Sequence, residues 1–369
     1  MFFTQIDQLR GIAALLVVYS HLVPNFLQSQ NRKWVVDDAV AVLARNPVHA
    51  ELNFGWLGVA LFFFVSGFVV THAASRERAS VYVVRRLMRI YPPLIATAIL
   101  VAILAYAGTL VSGLTSVPSP LQVLLGASLG NYFVLAQPLL VAVGWTLVIE
   151  MFFYLGLLVA RPLLARAPAL VPIVLMLAVA IVDTLHTQLG TTFALASSFV
   201  AFIPLLLLGQ IVYLVRMRRI PVWAGALLAA AAWVVFVYGM RETSPAFYDS
   251  ANSFLSNAVL GFCIFLVAVL IEGRVKPLKP LAVVAKRSYS LYLLHVPVGF
   301  TLLTVFVVQA HMPYTPSLLL SLLAVAAATE LAYRFIERPS IRLSRWITSR
   351  PPFASRSTTT ATTTENAPH

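Results

Sequence analysis

The chain has 369 residues, of which 60% are hydrophobic and only 11% are charged. A water-soluble domain carries roughly 25% charged residues, so this composition excludes a soluble fold and indicates a protein surrounded by lipid. The net charge of +13 would suggest nucleic-acid binding in a soluble protein. Basic cytoplasmic loops of a membrane protein explain it better, and we expect no nucleic-acid partner. A lone cysteine, Cys263, excludes an intramolecular disulfide, and no metal-ligand spacing surrounds it.

Apolar runs long enough to cross the hydrocarbon core recur along the whole chain. The first lacks a small-residue cleavage site, so we interpret it as a retained helix and not as a signal peptide. Because a backbone in lipid must satisfy its own polar groups, we predict an all-α bundle of about ten transmembrane helices. The predicted spans lie near residues 9–27, 55–74, 92–112, 144–163, 168–186, 194–215, 222–239, 254–271, 289–309 and 317–336.

The distribution of basic residues between the loops supports this topology. If the N-terminus is cytoplasmic, 22 of the 26 lysines and arginines fall in cytoplasmic segments, and the C-terminus is cytoplasmic as well. The run at 121–143 is also apolar enough to span. A further crossing there would move every later basic loop outside, so we predict that this run is interfacial, re-entrant or buried.

The chain divides into one membrane domain, residues 1–345, and a tail, residues 346–369. The tail is rich in threonine and serine after Pro351 and lacks a periodic apolar pattern. We therefore expect a disordered cytoplasmic tail. No internal repeat is visible, so the sequence gives no support to the inverted-repeat architecture of many transporters.

Ionisable residues inside spans are costly in lipid, and each is a functional candidate. Arg10 and His21 are eleven residues apart, or ~1100° at ~100° per residue, so they share one helix face with an axial separation of ~16 Å. A cation near the cytoplasmic end would thus line up with an imidazole near the outer end. The spacing leaves open an alternative, a snorkelling arginine and an unrelated core histidine.

Two pairs of ionisable residues share a predicted depth. Glu150 and His21 each lie roughly 9 Å below the outer boundary, about six residues into their spans. A carboxylate there could orient the imidazole for general-base chemistry, or the two could form a structural contact between helices. His295 and Glu330 share a depth near the inner ends of their spans, and we favour an interhelical tie over a second functional pair.

The segment 75–91 is the most basic cytoplasmic loop and contains five arginines. Arg86 and Arg89 are three residues apart and would share a helical face. Guanidinium groups bind phosphate through two parallel hydrogen bonds, so this pair could hold an anionic ligand. On charge alone, an ordinary loop that contacts anionic lipid headgroups is the favoured interpretation.

Six sequence motifs, in order, resemble those of the membrane-bound acyltransferase-3 family. The resemblance covers about residues 1–345, and only the six together are specific. The motifs are IDQLRG at 6–11 followed by His21, WLGVALFFFVSGF at 56–68, RLMRIYP at 86–92, WTLVIE at 145–150 with FY at 153–154, SYSLYLLHVP at 288–297 and ERP at 337–339.

The resemblance implies an all-helical enzyme that moves an acyl group, often acetyl, from a coenzyme A thioester to a hydroxyl. The acceptor would be a glycan, a lipid-linked sugar or a small molecule such as a macrolide. His21 is implied to be the catalytic histidine, and Arg86 and Arg89 to bind the donor. Arg10 and Glu150 are also implied to be site residues. Arg10 is grouped with the residues that bind the donor, and Glu150 is grouped with the catalytic residues.

Together, the residues and the resemblance predict a mechanism. Acyl-CoA would act as a cosubstrate and not as a bound cofactor, docking its phosphates at the inner arginines. His21 would act as general base on the acceptor hydroxyl or would carry the acyl group transiently, and Glu150 would orient its ring. The further candidates are Trp145, Thr146 and Tyr154 on the acceptor side, Thr146 replacing the family's usual serine, and His295 and Glu337 in the closing motifs.

The predicted partners are the acyl-CoA donor, a carbohydrate or lipid-linked glycan acceptor and the lipid bilayer. The predicted location is a bacterial inner (plasma) membrane. Because His21 lies toward the outer face, an extracytoplasmic acceptor is favoured, and a small molecule acylated at the cytoplasmic side is the alternative. Some relatives carry an appended esterase-like domain, whereas this chain is expected to use its membrane domain alone. A proton-coupled transporter and a non-enzymatic scaffold are the rival classes.

Overall fold

A computed structural model describes residues 3–45, 52–108, 114, 116–134, 137–243 and 251–350. Within these ranges the chain is all helical and forms no strand. The helices, numbered in chain order, are α1 (Thr4–Ser20), α2 (Phe54–Arg76), α3 (Ala79–Tyr106), α4 (Pro120–Ser128), α5 (Trp145–Arg166), α6 (Leu170–Leu185), α7 (Thr191–Val200), α8 (Ile203–Arg216), α9 (Val222–Thr243), α10 (Ala251–Ile271), α11 (Lys279–Leu294), α12 (Tyr314–Ala332) and α13 (Arg338–Thr348).

Shorter helical segments extend or connect these helices. The π-helical turns are His21–Asn25, Ala41–Arg45, His295–Phe300, Thr304–Gln309 and Tyr333–Glu337. The 3₁₀ turns are Gly130–Tyr132 and Ala142–Gly144, and the remaining α-helical segments are Phe26–Ser29, Val35–Val40 and Thr301–Leu303.

Apolar helices occur at all ten predicted positions in the described chain, and nine of them are long enough to span. Nine helical segments of the described chain are long and apolar enough to cross a membrane, and α6 is a shorter apolar helix of 16 residues. The run at 121–143 contains only the nine-residue helix α4 and two 3₁₀ turns among its described residues. At 1.5 Å per residue α4 is ~14 Å long, too short to span, as predicted.

Three helix ends differ from the prediction. The third span begins at Ala79 and not near 92, so Arg86 and Arg89 lie on a helix and not in a loop. The ninth span begins at Lys279, and the tenth continues to Thr348, three residues into the predicted tail. Hydropathy detects only the apolar part of a helix, whereas charged turns at the membrane surface continue it without an apolar signal. Residues 351–369 lie outside the described ranges.

Helix α2 lies at the centre of the bundle and contacts α1, α5, α8 and α10. Its phenylalanines Phe63, Phe64 and Phe68 are fully buried. Two glycines bring α2 and α8 into backbone contact. A Cβ added at Gly67 would lie 1.9 Å from the carbonyl oxygen of Leu206, and one added at Gly209 would lie 2.0 Å from that of Phe64. Small residues at a helix crossing allow this close approach in membranes.

We expect Gly67→Ala to prevent normal assembly of the bundle. The new methyl would meet backbone and not a flexible side chain, and overpacking of this kind costs roughly 1–3 kcal/mol or more. Gly261→Ala is the matched control, because its Cβ would sit 3.4 Å from the Leu57 side chain, in ordinary contact. Fluorescence-detected size-exclusion chromatography of both variants checks this. A monodisperse Gly67→Ala protein with wild-type melting temperature would contradict the close crossing.

Candidate active site

Two internal cavities lie along the face of α1 that carries Arg10 and His21. Arg10 lines the first, which we call the arginine cavity, and His21 lines the second, the histidine cavity. The arginine cavity holds about 60 Å³ and the histidine cavity about 130 Å³. Tyr292 of α11 lines both, so the two cavities adjoin. The shared face predicted from the eleven-residue spacing therefore carries one residue into each of two adjoining cavities.

Five helices, α1, α2, α3, α5 and α11, contribute side chains to the arginine cavity. Its polar lining consists of three guanidinium groups, one carboxylate and several hydroxyl groups. These residues are Arg10, Arg86, Arg89, Glu150, Ser66, Thr146, Tyr154, Ser288, Tyr289 and Tyr292. All three predicted donor-binding arginines thus line the same cavity, together with Glu150.

The guanidinium groups of this cavity are poorly satisfied by the protein. Arg86 and Arg89 form no hydrogen bond or ion pair with any part of the chain that the structure describes, and Arg86 Nε is buried without a partner. The Arg86 guanidinium lies 5.8 Å and 5.9 Å from the ring centres of Tyr82 and Tyr154. Arg10 lies 3.8 Å from an Asp7 carboxylate oxygen, beyond hydrogen-bond distance. The cavity therefore presents unused cationic donors, as an anion site requires.

Glu150 is held within the arginine cavity by two hydroxyl groups. Ser66 Oγ donates a short hydrogen bond to Glu150 Oε1, and Tyr154 donates to Oε2 at 2.8 Å. The predicted pair between Glu150 and His21 is therefore wrong, because each has other partners. Ser66 falls inside the motif at 56–68, but nothing in the sequence alone assigned it to Glu150.

His21 pairs instead with His295. Its Nδ1 lies 3.0 Å from the carbonyl oxygen of Val17 and 3.4 Å from Nε2 of His295. Nδ1 of His295 in turn lies 3.2 Å from the carbonyl oxygen of Leu291. Because a carbonyl only accepts, the two contacts assign a proton to each Nδ1. The single Nδ1 proton of His21 points to the Val17 carbonyl and is at most shared with His295 Nε2, and in this tautomer His21 Nε2 carries a lone pair.

His295 and Glu330 do not meet either, so their predicted tie is also wrong. Glu330 accepts hydrogen bonds from Arg287, including one at 3.2 Å from Nη2, and from Arg334. His295 is completely buried beside His21. Glu330 does connect two helices, but its partner is Arg287, and this ion pair joins α11 to α12.

Both histidines begin a π-helical turn that contains a proline. His21 begins His21–Asn25, which includes Pro24, and His295 begins His295–Phe300, which includes Pro297. Proline lacks an N–H and its ring clashes with the carbonyl four residues earlier, which disrupts regular α-helical hydrogen bonding. Widened turns of this kind recur at functional sites. The prolines are a local sequence signal for the two turns.

A hydrogen-bonded constriction separates the two cavities. The Tyr292 hydroxyl lies 2.9 Å from the Thr146 hydroxyl and donates to the carbonyl oxygen of Val143 at 3.0 Å. The ring of Phe62 lies against that of Tyr292, with 5.4 Å between centres. The sequence interpretation missed Tyr292. Its position three residues before His295 was the available signal, because such residues are neighbours on a helix.

The remaining predicted residues are distributed along the site. Trp145 lines the histidine cavity, Thr146 lies at the constriction, and Tyr154 lies in the arginine cavity. The three acceptor-side candidates therefore do not form one group. Glu337 is buried, accepts a hydrogen bond from Ser290 Oγ at 2.5 Å, and lines neither cavity.

Comparisons with known proteins agree with this architecture. Staphylococcus aureus proteins named O-acetyltransferase OatA, from strains NCTC 8325 / PS 47, COL and MRSA252, are 33% identical to the chain over 81 residues. The matched segment is 21% of this chain and 13% of each relative, so the chain matches a small part of their length. No solved structure matches the chain. A family model for acyltransferase domains, that of acyltransferase-3, matches residues 3–333, and the chain therefore belongs to this family of multi-pass membrane acyltransferases.

Proposed function

We propose that this protein transfers an acyl group, with acetyl as the first candidate, from acyl-CoA to a hydroxyl of a glycan or a lipid-linked sugar. One observation carries the proposal. Arg86 and Arg89, which form no hydrogen bond or ion pair among the described residues, line one of two adjoining cavities, and His21 lines the other. The name of the Staphylococcus relatives, O-acetyltransferase, supports an acetyl donor and an oxygen acceptor.

The donor phosphates bind at the arginine cavity. Arg86 and Arg89 offer planar donor groups that match phosphate oxygens in pairs, and Arg10 adds a third positive charge. At about 60 Å³ the cavity has room for a few water molecules and not for a whole coenzyme A. The nucleotide therefore remains outside, toward the membrane surface, and the thin pantetheine arm extends inward.

The arm reaches His21 only if the constriction opens. Tyr292 and Thr146 lie directly between the arginine cavity and the histidine cavity. Rotation of the Tyr292 ring breaks its hydrogen bonds to Thr146 and Val143 and connects the two cavities. The space beside His21, about 130 Å³, suits a short acyl group such as acetyl.

The chemistry at His21 is acid–base catalysis. Nε2 takes the proton of the acceptor hydroxyl as its oxygen attacks the thioester carbon, and the carbonyl becomes an oxyanion. The oxyanion collapses, the carbon–sulfur bond breaks, and the thiolate takes the proton from Nε2. The Val17 carbonyl holds the Nδ1 proton, which keeps the reactive lone pair on Nε2, and the adjacent His295 ring helps to position the imidazole. Direct attack by Nε2 to form an acyl-histidine is the second route.

The setting is a bacterial plasma membrane, with donor entering from the cytoplasm and acceptor from the opposite side. The predicted excess of basic residues at the arginine end supports this orientation. A small-molecule acceptor that enters from the cytoplasmic side is the alternative. The transporter that the sequence left open loses support, because the chain belongs to an acyltransferase family.

Label transfer tests the proposal. We expect membranes that contain the protein to move label from [¹⁴C]acetyl-CoA into a glycan or lipid-linked sugar fraction. Membranes from cells that make an inactive variant, His21→Ala, serve as the control. Substrate flux without covalent labelling would contradict the proposal.

Sealed vesicles of known orientation test the sidedness separately. Acetyl-CoA should support labelling only from the arginine end, and an impermeant acceptor only from the histidine end. Labelling with both substrates confined to the cytoplasmic side would favour the small-molecule alternative and leave the acyltransferase assignment intact.

A further inference from the structure

The asparagine that begins α2 is held in one orientation by its hydrogen bonds. Asn53 is the N-cap residue, and its Oδ1 accepts from the backbone N–H groups of Gly55 at 2.9 Å and Trp56 at 3.3 Å. Ser20 Oγ donates to the same oxygen at 3.4 Å. Side-chain oxygens of asparagine commonly cap helices in this way. The contacts assign the oxygen of the amide unambiguously, because an NH₂ group cannot accept from these donors.

The amide nitrogen of Asn53 is therefore directed away from the helix end. Nδ2 lies on the opposite side of the planar amide from Oδ1, and it forms no hydrogen bond with the residues that the structure describes. It is also absent from the buried, unsatisfied polar atoms, so it is accessible. Asn53 lines the histidine cavity. Asn53 and His21 thus line the same cavity, and the Asn53 amide is oriented by its capping contacts and keeps an N–H donor without a protein partner among the described residues.

Helix α1 is fixed against this amide at the residue before His21. Ser20, which hydrogen-bonds Asn53, immediately precedes His21. A Cβ added at Gly55 would lie 2.7 Å from Ser20 Oγ, so the end of α1 and the start of α2 approach closely here. The distance between the amide and the imidazole is therefore set by direct packing of the two helices.

We propose that Asn53 Nδ2 donates a hydrogen bond to the thioester carbonyl oxygen as that oxygen becomes negatively charged. The inference rests on the proposed function. When the acceptor oxygen bonds to the carbonyl carbon, the electron pair of the C=O bond moves to the oxygen, where the Nδ2 proton stabilises it. Reformation of the C=O bond expels the thiolate, which takes the proton held by His21. Asn53 is thus a catalytic residue that contacts the reacting oxygen.

The structure favours Asn53 over the other side-chain amide in this cavity. Asn25 also lines it, but its side chain is exposed and forms no hydrogen bond within the described chain that would orient it. A donor that is fixed before the reaction needs no reorganisation when charge develops, which is why fixed donors stabilise oxyanions most effectively. The capping contacts give Asn53 this property.

Two substitutions remove the proposed amide donor and keep the oxygen that caps the helix. Asn53→Asp and Asn53→Ser both retain a good N-cap oxygen, so the helix should begin normally. Neither places an N–H group where Nδ2 lies. We expect both variants to show wild-type melting temperatures and coenzyme A affinity. Their initial rate of label transfer from [¹⁴C]acetyl-CoA, per folded molecule, should fall about 10²- to 10³-fold, as for loss of an oxyanion donor.

Each other result overturns the inference. Transfer within threefold of wild type in either variant would show that Nδ2 is not the donor. Loss of folded protein without loss of rate per folded molecule would make Asn53 a helix cap only. Slow transfer by Asn25→Asp with active Asn53→Asp would assign the donor to Asn25. Wild-type protein that transfers no label would overturn the proposed function and this inference together, whereas active wild type with equally active Asn53→Asp overturns the inference alone.

Discussion

His21→Ala is expected to insert and fold but to lose acyl transfer by about 10²- to 10⁴-fold, the usual cost of removing a general base. The loss is larger if His21 carries the acyl group. The reason is that His21 lines the histidine cavity and that its Nδ1 proton is held by the Val17 carbonyl, which leaves the lone pair on Nε2. The initial rate of label transfer from [¹⁴C]acetyl-CoA in purified proteoliposomes measures the effect.

His186→Ala is the matched control for this substitution. His186 follows α6, and its Nδ1 contacts only the backbone carbonyl of Asp183, outside both cavities. It should transfer at the wild-type rate. Equal loss in both variants, or near-wild-type transfer by His21→Ala, would remove His21 from the mechanism.

His295 is a positioning residue in this scheme, because it acts through His21. His295→Asn can retain an oxygen or nitrogen near Nδ1 of His21, whereas His295→Leu cannot accept a hydrogen bond. Partial rescue by asparagine relative to leucine would separate hydrogen bonding from packing. The pH dependence of the transfer rate is a second measurement, because a purely structural role of His295 would not change it.

The fold could be predicted from the sequence because lipid leaves few choices. Ten apolar runs and the bias of basic residues were enough to give the spans and to show that the run at 121–143 does not cross. The positions of the helix ends were harder to predict. Arg86 and Arg89 lie about two to three turns into α3, before Pro92 and Pro93, where hydropathy is low although the helix is already formed.

The partners of the site residues could not be predicted in the same way. The depth of a residue along a helix follows from counting residues. Its direction about the helix axis also changes by ~100° with each residue along the chain. Glu150 and His21 were assigned a common depth, yet Glu150 meets Ser66 and Tyr154, and His21 meets His295. Rotation depends on how neighbouring helices pack, which no single segment encodes.

Asn53 illustrates a second limit. An asparagine before an apolar run is a recognisable N-cap signal, so its capping role was within reach of the sequence. The orientation of its side-chain amide could not be predicted from the sequence. It depends on a hydrogen bond from Ser20 of α1, and α1 and α2 can approach this closely because residue 55 is a glycine. Catalytic geometry of this kind emerges only when α1 and α2 are assembled.

The arrangement of the two cavities also explains why donor binding and catalysis can be tested independently. The arginine cavity and His21 lie on either side of the Tyr292–Thr146 hydrogen bond. A substitution at one end leaves the contacts at the other end unchanged. Variants at the arginine cavity should therefore lose donor affinity while His21 keeps its lone pair. Variants at His21 should lose that lone pair while donor affinity is unchanged.

Replacing Arg86 and Arg89 together by alanine is expected to weaken coenzyme A binding by about 10²- to 10⁴-fold, since hydrogen bonds to a charged group contribute ~1.5–3 kcal/mol each. Neither guanidinium forms a hydrogen bond or ion pair among the described residues, so their removal breaks no ion pair with a carboxylate there. Lysine at both positions should restore only part of the affinity, because a point charge cannot make two parallel hydrogen bonds. Isothermal titration calorimetry with coenzyme A measures the change.

The matched control is the double variant Arg342→Ala and Arg345→Ala. These two arginines have the same three-residue spacing on α13 but are exposed and line neither cavity. The control removes the same net charge, so it reports the effect of general electrostatics on an anionic ligand. If both double variants weaken coenzyme A binding equally, the contribution is nonspecific attraction. If the Arg86 and Arg89 variant keeps wild-type affinity, the donor phosphates bind elsewhere, and the arginine cavity has no part in holding them.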